Sequence, residues 1–295
     1  LNAGTYGFNG TCNKNFNVTI TGNLVIGNAE ITLGETNDYT VEYTGSDIDV
    51  SNGNPTATTV DGSNVNWTYS LTEGGEYVET LEGVKNWIEG GYTVYFKATS
   101  PNHDEATGSF KVIVEKYEIT ISTGDVIQEF GDWTSENVEE KLGGLELSYM
   151  HGDEGITLPD ELADLVLTLS LTNPSYSGNY LERGSYAING ELGEYSDNYS
   201  ITFNGGTLEI TERTLVINWS STEDTIEYGN ALPTLTLSNM LDGDNVDYTV
   251  TYTKNGATIT DISKVYAGVY TLRVSITSAN YVLPENSEIT VTVTA

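Results

Sequence analysis

Short runs in which apolar and polar residues alternate recur along the whole chain. Examples are Tyr186-Ala187-Ile188, Thr207-Leu208-Glu209-Ile210, Tyr270-Thr271-Leu272-Arg273-Val274 and Ile289-Thr290-Val291-Thr292. A period of two sends successive side chains to opposite faces, so each run predicts a β-strand with one buried face. Turn dipeptides punctuate the runs: Asn52-Gly53, Asp61-Gly62, Gly74-Gly75, Gly205-Gly206 and Asn255-Gly256. Helical periodicity is scarce. Residues 135–142, stopped by Gly143-Gly144, predict one short helix, and residues 160–164 behind Pro159 predict a single further turn. The pattern predicts an all-β chain.

One strand arrangement returns four times. Gly4-Thr5-Tyr6, Gly90-Gly91-Tyr92, Gly184-Ser185-Tyr186 and Gly268-Val269-Tyr270 open the copies. Each then reaches an asparagine followed by a ring: Asn15-Phe16, Asn102-His103, Asn198-Tyr199 and Asn280-Tyr281. A closing strand follows, at Val18-Thr19-Ile20, Phe110-Lys111-Val112-Ile113, Thr207-Leu208-Glu209-Ile210 and Ile289-Thr290-Val291-Thr292. The tyrosines lie roughly 85–95 residues apart, too far for a solenoid unit and right for a small domain in tandem. The expected division is residues 1–27, the closing hairpin of a partial repeat, then full repeats at 28–115, 116–212 and 213–295. A lone hairpin is marginal in water, so residues 1–27 must lean on a neighbour. Leu1, in place of a start methionine, points to a piece of a longer chain.

The tyrosines have a physical reason to recur. In immunoglobulin-like sandwiches a tyrosine near the start of the penultimate strand returns its hydroxyl to upstream backbone and pins the corner between sheets. A glycine two residues earlier allows the close approach. Tyr6, Tyr92, Tyr186 and Tyr270 are assigned this structural role, which predicts tandem immunoglobulin-like β-sandwich modules arranged end to end. The helix at 135–142 keeps a β-grasp-like module with one short helix as the alternative.

Residues 184–213 resemble the closing half of the MBG-type repeats of large bacterial surface proteins. Ile226-Glu227-Tyr228-Gly229-Asn230-Ala231-Leu232-Pro233 is similar to their Tyr-Gly-x-x-x-Pro opening, and Leu241-Asp242-Gly243-Asp244 to their Gly-Asp element. Phe130-Gly131-Asp132 and Gly152-Asp153 echo both in the preceding repeat, while residues 29–115 look more like a sister surface-repeat type. The resemblance implies an extracellular segment of a bacterial surface or secreted protein acting as stalk or spacer. Its motifs specify no ligand. The alternative is an adhesive module that binds carbohydrate or host protein through exposed aromatics.

Junctions are short. Glu115-Lys116 and Glu212-Arg213 join strand to strand with no Gly/Ser or Pro-rich linker, which predicts abutting modules and a stiff, monomeric rod. Composition narrows the partners. With 43 acidic and 11 basic residues the net charge is −32. Nucleic-acid binding needs clustered Lys/Arg to neutralise phosphates, and this chain lacks them. No apolar run is long enough to insert in a bilayer. The single cysteine, Cys12, excludes an internal disulfide and reads as a small strand residue.

Catalytic signatures are absent from the sequence. His103 fills the ring position of an asparagine turn and His151 precedes a Gly-Asp element; no zinc spacing, phosphate loop or nucleophile elbow occurs. No enzyme and no cofactor is expected. Asp242, Asp244 and Asp247 offer alternating oxygens as a weak calcium candidate, without the later Gly and closing Glu of a calcium loop. Mixed charge at the junctions predicts no calcium dependence. Trp67 alternates with Val65 and Tyr69 as a core strand residue would, and Trp219 is undecided. Trp87 and Trp133, beside turn or helix signals, are the candidate exposed ligand-binding rings. Lys111 and Lys254 are the lysines a Lys-Asn cross-link would need to find buried.

Overall fold

The computed structural model describes residues 1–11 and 19–295. Cys12, the Asn15-Phe16 turn and Val18 lie outside the described residues. The chain is all-β, with sheets in every repeat and one short α-helix among the described residues. It forms two compact units, residues 1–119 with 195–201, and residues 120–194 with 202–295.

In the first unit, Gly4–Thr11 pairs antiparallel with Thr19–Ile26 in a hairpin. Beyond it, Tyr39–Glu42 runs parallel to Ala106–Glu115, which pairs antiparallel with Tyr92–Thr99, which pairs in turn with Asn66–Ser70. Strict alternation makes this sheet's inner face: Val94, Phe96, Ala98, Phe110, Val112 and Val114 are buried. Thr32–Leu33 and Ala57–Thr58 form a second, two-stranded sheet.

The second unit repeats that order twice. Val126–Glu129 is parallel to Thr207–Thr211, followed by Gly184–Leu192 and Leu167–Leu171. Thr225–Glu227 is likewise parallel to Glu288–Thr294, followed by Gly268–Ile276, Tyr248–Lys254 and Ala257–Ile259. A parallel opening strand on an otherwise antiparallel sheet is thus the signature of each full repeat. The second layer holds Glu154–Gly155 paired with Leu147–His151, which pairs with residues 120–123 in the middle repeat, and Val216–Trp219 paired with Leu235–Ser238 in the last. Two layers of sheet make these sandwiches rather than β-grasp modules.

The helix spans Val138–Gly143, three residues later at its start than the sequence predicts. Thr134 and Asn137 explain the shift. The Thr134 N–H donates to Asn137 Oδ1 and the Asn137 N–H to Thr134 Oγ1, a closed turn that occupies the predicted first residues. Pro159 precedes a short 3-10 turn, Asp160–Leu162, that buries Leu162.

A single apolar cluster in the second unit joins residues of two repeats. Phe130, Trp133, Leu142, Leu181, Tyr186, Ile188, Leu208 and Ile210 from one meet Leu215, Val246 and Tyr281 from the other. The predicted exposure of Trp133 is corrected here: it is 3% exposed. The turn and helix signals beside it mark a chain reversal that folds the ring inward, into the cluster that also holds Leu142, with the Lys141 ammonium 5.7 Å from the ring centroid.

Candidate functional site at the joints between repeats

The four recurrent tyrosines all donate their hydroxyl to a carbonyl a few residues upstream. Tyr6 bonds Asn2 O at 2.8 Å, Tyr92 bonds Asn86 O at 3.0 Å, Tyr186 bonds Glu182 O at 2.9 Å and Tyr270 bonds Tyr266 O at 2.9 Å. Opposite Tyr92, Tyr186 and Tyr270 in register stand Val112, Leu208 and Val291, each fully buried. Burial, then the nearby Glu182 charge, raises the Tyr186 phenol above its ordinary value.

The recurrent asparagines complete the other side of the same peptide groups. The Ala3 N–H donates to Asn102 Oδ1 at 3.0 Å, the Trp87 N–H to Asn198 Oδ1 at 2.8 Å, and the Arg183 N–H to Asn280 Oδ1 at 2.9 Å. Asn2–Ala3, Asn86–Trp87 and Glu182–Arg183 are single peptide units. Each therefore has its carbonyl held by the corner tyrosine of its own repeat and its N–H held by the asparagine of the following repeat. The asparagine backbone carbonyls also recur as acceptors, from Ala29 N–H, Tyr117 N–H and Arg213 N–H, all at 2.9 Å. Each of these donors lies at the start of the asparagine's own repeat. One asparagine thus ties its own first strand to its predecessor's corner.

Rings meet beside the clasp. Tyr43, Phe130 and Tyr228 follow the opening strand in the three full repeats, and their N–H groups donate to Glu115 O, Thr211 O and Thr294 O respectively. Tyr43 packs edge-on against Tyr199 at 5.6 Å, and Phe130 edge-on against Tyr281 at 5.4 Å. Such pairs contribute about 0.5–1.5 kcal/mol beyond their burial. Tyr281 is anchored further, donating to Asp244 Oδ2 at 2.6 Å and accepting from the Leu241 N–H at 3.0 Å. Its burial, together with that bond to Asp244, pushes the phenol up to about 12.

The turns that carry the asparagines share a serine two residues earlier, at Ser100, Ser196 and Ser278. The Asn198 N–H donates to Ser196 Oγ and the Asn280 N–H to Ser278 Oγ, which aims both side chains. This Ser-x-Asn-ring spacing is visible in the sequence but gains meaning only once its distant acceptor is known.

Trp87, read as a ligand-binding ring, belongs to a joint. It is half-buried, and the Lys116 ammonium sits over its face at 4.1 Å. The calcium candidates do not converge: among the described residues no three His, Cys, Asp or Glu side chains gather as a metal site, and Asp244 is taken by Tyr281. Neither lysine that a cross-link would need is fully buried. Lys111 is exposed and donates to Gly90 O, while Lys254 is half-buried over the rings of Tyr266 and Tyr270. Trp67 lies half-buried, edge-on to Phe96 at 5.2 Å, and Trp219 packs on the last repeat's core. His103 is buried with Nδ1 donating to Pro101 O at 2.8 Å.

Among the described residues, no helix is long and apolar enough to cross a membrane. No protein-family model matches the chain, and no curated protein does. Solved structures do. Drosophila N-cadherin EC1-4 is similar at 10% identity over 99% of this chain and 83% of that one, with a TM-score of 0.27. Surface layer protein SbsC, domains 4-9, is similar at 14% identity over 96% and 52%, with a TM-score of 0.24. The Bacteroides ovatus glucan-utilization protein SGBP-B, solved with a mixed-linkage heptasaccharide, is similar at 14% identity over 91% and 71%, with a TM-score of 0.19. Likenesses this distant say nothing about what the present chain binds.

Proposed function

We propose that the chain is a non-enzymatic spacer segment of an extracellular surface or secreted protein, whose repeats exist to hold one another in series. One observation carries this reading: the residues that recur from repeat to repeat are spent on the joints. The corner tyrosine and the turn asparagine seize opposite ends of one peptide group, three times over. The resemblance to MBG-type bacterial surface repeats supports the same role. A net charge of −32 suits a solvated extracellular segment and opposes binding to nucleic acid or anionic lipid.

A glutamate-specific protease tests the reading directly. Cleavage after Glu115 and Glu212 should be slower than at exposed loop glutamates such as Glu73 and Glu223, because the joints hold these segments in hydrogen-bonded structure. Preferential cutting at the two junctions would overturn it. A glycan array should show no binding; a saturable hit lost in Trp87→Ala would favour the adhesive alternative instead.

A further inference from the structure

The third full repeat carries the residues of both halves of the joint, and among the described residues no asparagine–aromatic turn meets them. Its corner peptide is Tyr266–Ala267. The Tyr266 carbonyl is held by the Tyr270 hydroxyl, as in every other copy, while the exposed Ala267 N–H has no partner among the described residues. Its joint ring is Tyr228, which bonds Thr294 O as its counterparts bond theirs. Tyr43 and Phe130, at the same place, are 3% and 0% exposed; Tyr228 is 60% exposed. Tyr266, itself 52% exposed, lies beside it with ring centroids 6.5 Å apart, and the Lys254 ammonium sits 5.4 Å from the Tyr266 ring.

We propose that this end of the third repeat is a socket for the asparagine–aromatic turn of a further module of this kind. The occupant is fixed by the two filled sockets earlier in the chain. In each, an asparagine Oδ1 meets the free N–H of the corner peptide and the following ring packs edge-on against the joint aromatic. The inference rests on the reading of the repeats as units that hold one another. It adds that Tyr228 and the Ala267 amide are a recognition surface rather than ordinary exposed residues.

The test is to extend the full chain after Ala295 with a second copy of residues 213–295, which reproduces the register of the Glu212-Arg213 junction. Tyrosine nitration followed by peptide mapping then reads Tyr228. Tyr228 should react readily in the native chain and at least tenfold more slowly in the extended one. Replacing Asn280 by alanine in the added copy only should restore the reactivity. Unchanged nitration of Tyr228 in an extended chain whose added copy shows native amide protection in its Gly268–Ile276 strand would overturn the proposal. Protection in the unextended chain that grows with protein concentration would overturn it too, by naming self-association through another surface as the cover. A second readout is melting: Tyr228→Ala should leave the Tm of the native chain unchanged and lower that of the extended chain. Loosening of the existing joint by Asn280→Ala in the native chain separates the two ideas. If that variant loosens its joint while Tyr228 in the extended chain stays reactive, only the socket fails.

Discussion

The joint made by Asn198 and the joint made by Asn280 use the same peptide chemistry and opposite charge. In the first, the residue donating to the asparagine is Trp87, and the linker residue covering it is Lys116, an ammonium on a ring face. In the second the same two places hold Arg183 and Glu212, an ion pair at 3.1 Å. The next position differs too. Tyr117 packs edge-on to Tyr199, whereas Arg213 bonds Asn239 through Nε and Nη2 and reaches Glu129 at 3.3 Å. What stays constant is what backbone geometry demands. The side chains around the clasp need only be complementary within their own joint, so a pair may change together and neither member alone.

The largest test of that comparison is ring truncation. Tyr43→Ala and Phe130→Ala should each cost about 3–5 kcal/mol in denaturant unfolding, as buried aromatics do. A loss below about 1 kcal/mol at Tyr43 would show that the first joint is not built on its ring. Next comes the clasp: Asn198→Ala should cost about 1–3 kcal/mol by stranding the half-buried Trp87 N–H, and Asn280→Ala about 0.5–1.5 kcal/mol, because the Arg183 N–H it releases is exposed to water. The Asn198 loss should be the greater, since its Nδ2 also donates to Asn86 Oδ1 at 3.1 Å. Charge reversal should be smaller. Lys116→Glu should cost about 0.5–1 kcal/mol, the worth of an exposed cation–π contact, and Trp87→Arg added to it should recover part of the loss. Full additivity of the pair would break the idea of local complementarity.

The smallest effect at neutral pH concerns Tyr281. Its folded-state phenol is raised from 10.0 to about 12, so its neutral form is favoured by the fold. The stability this confers is complete below pH 10 and is lost as pH climbs from about 10 to about 12, because the unfolded chain releases its proton first. Alkaline denaturation of Tyr281→Phe should lack that component.

The fold class and the corner tyrosines were legible because they are written locally, in period-two runs and in glycine two residues before each ring. The asparagine turns were legible as a repeat but not as clasps. Their acceptors' partners are backbone N–H groups 97 to 111 residues away, and a backbone amide leaves no residue-type signature. Trp133 was misread because turn and helix signals say where a chain reverses, not which way its ring then points. Asp244 looked like one of a set of carboxylates since a sequence cannot show that Tyr281 already occupies it.

Because one amide proton in each joint is bonded only to a side chain of the following repeat, it is a built-in reporter of that joint. Deuterium uptake at Ala3, Trp87 and Arg183 needs the asparagine to let go, whereas uptake in the Gly-x-Tyr strands needs a sheet to come apart. The difference between the two protection factors in one molecule would measure how much freely each repeat disengages from its neighbour while both remain folded.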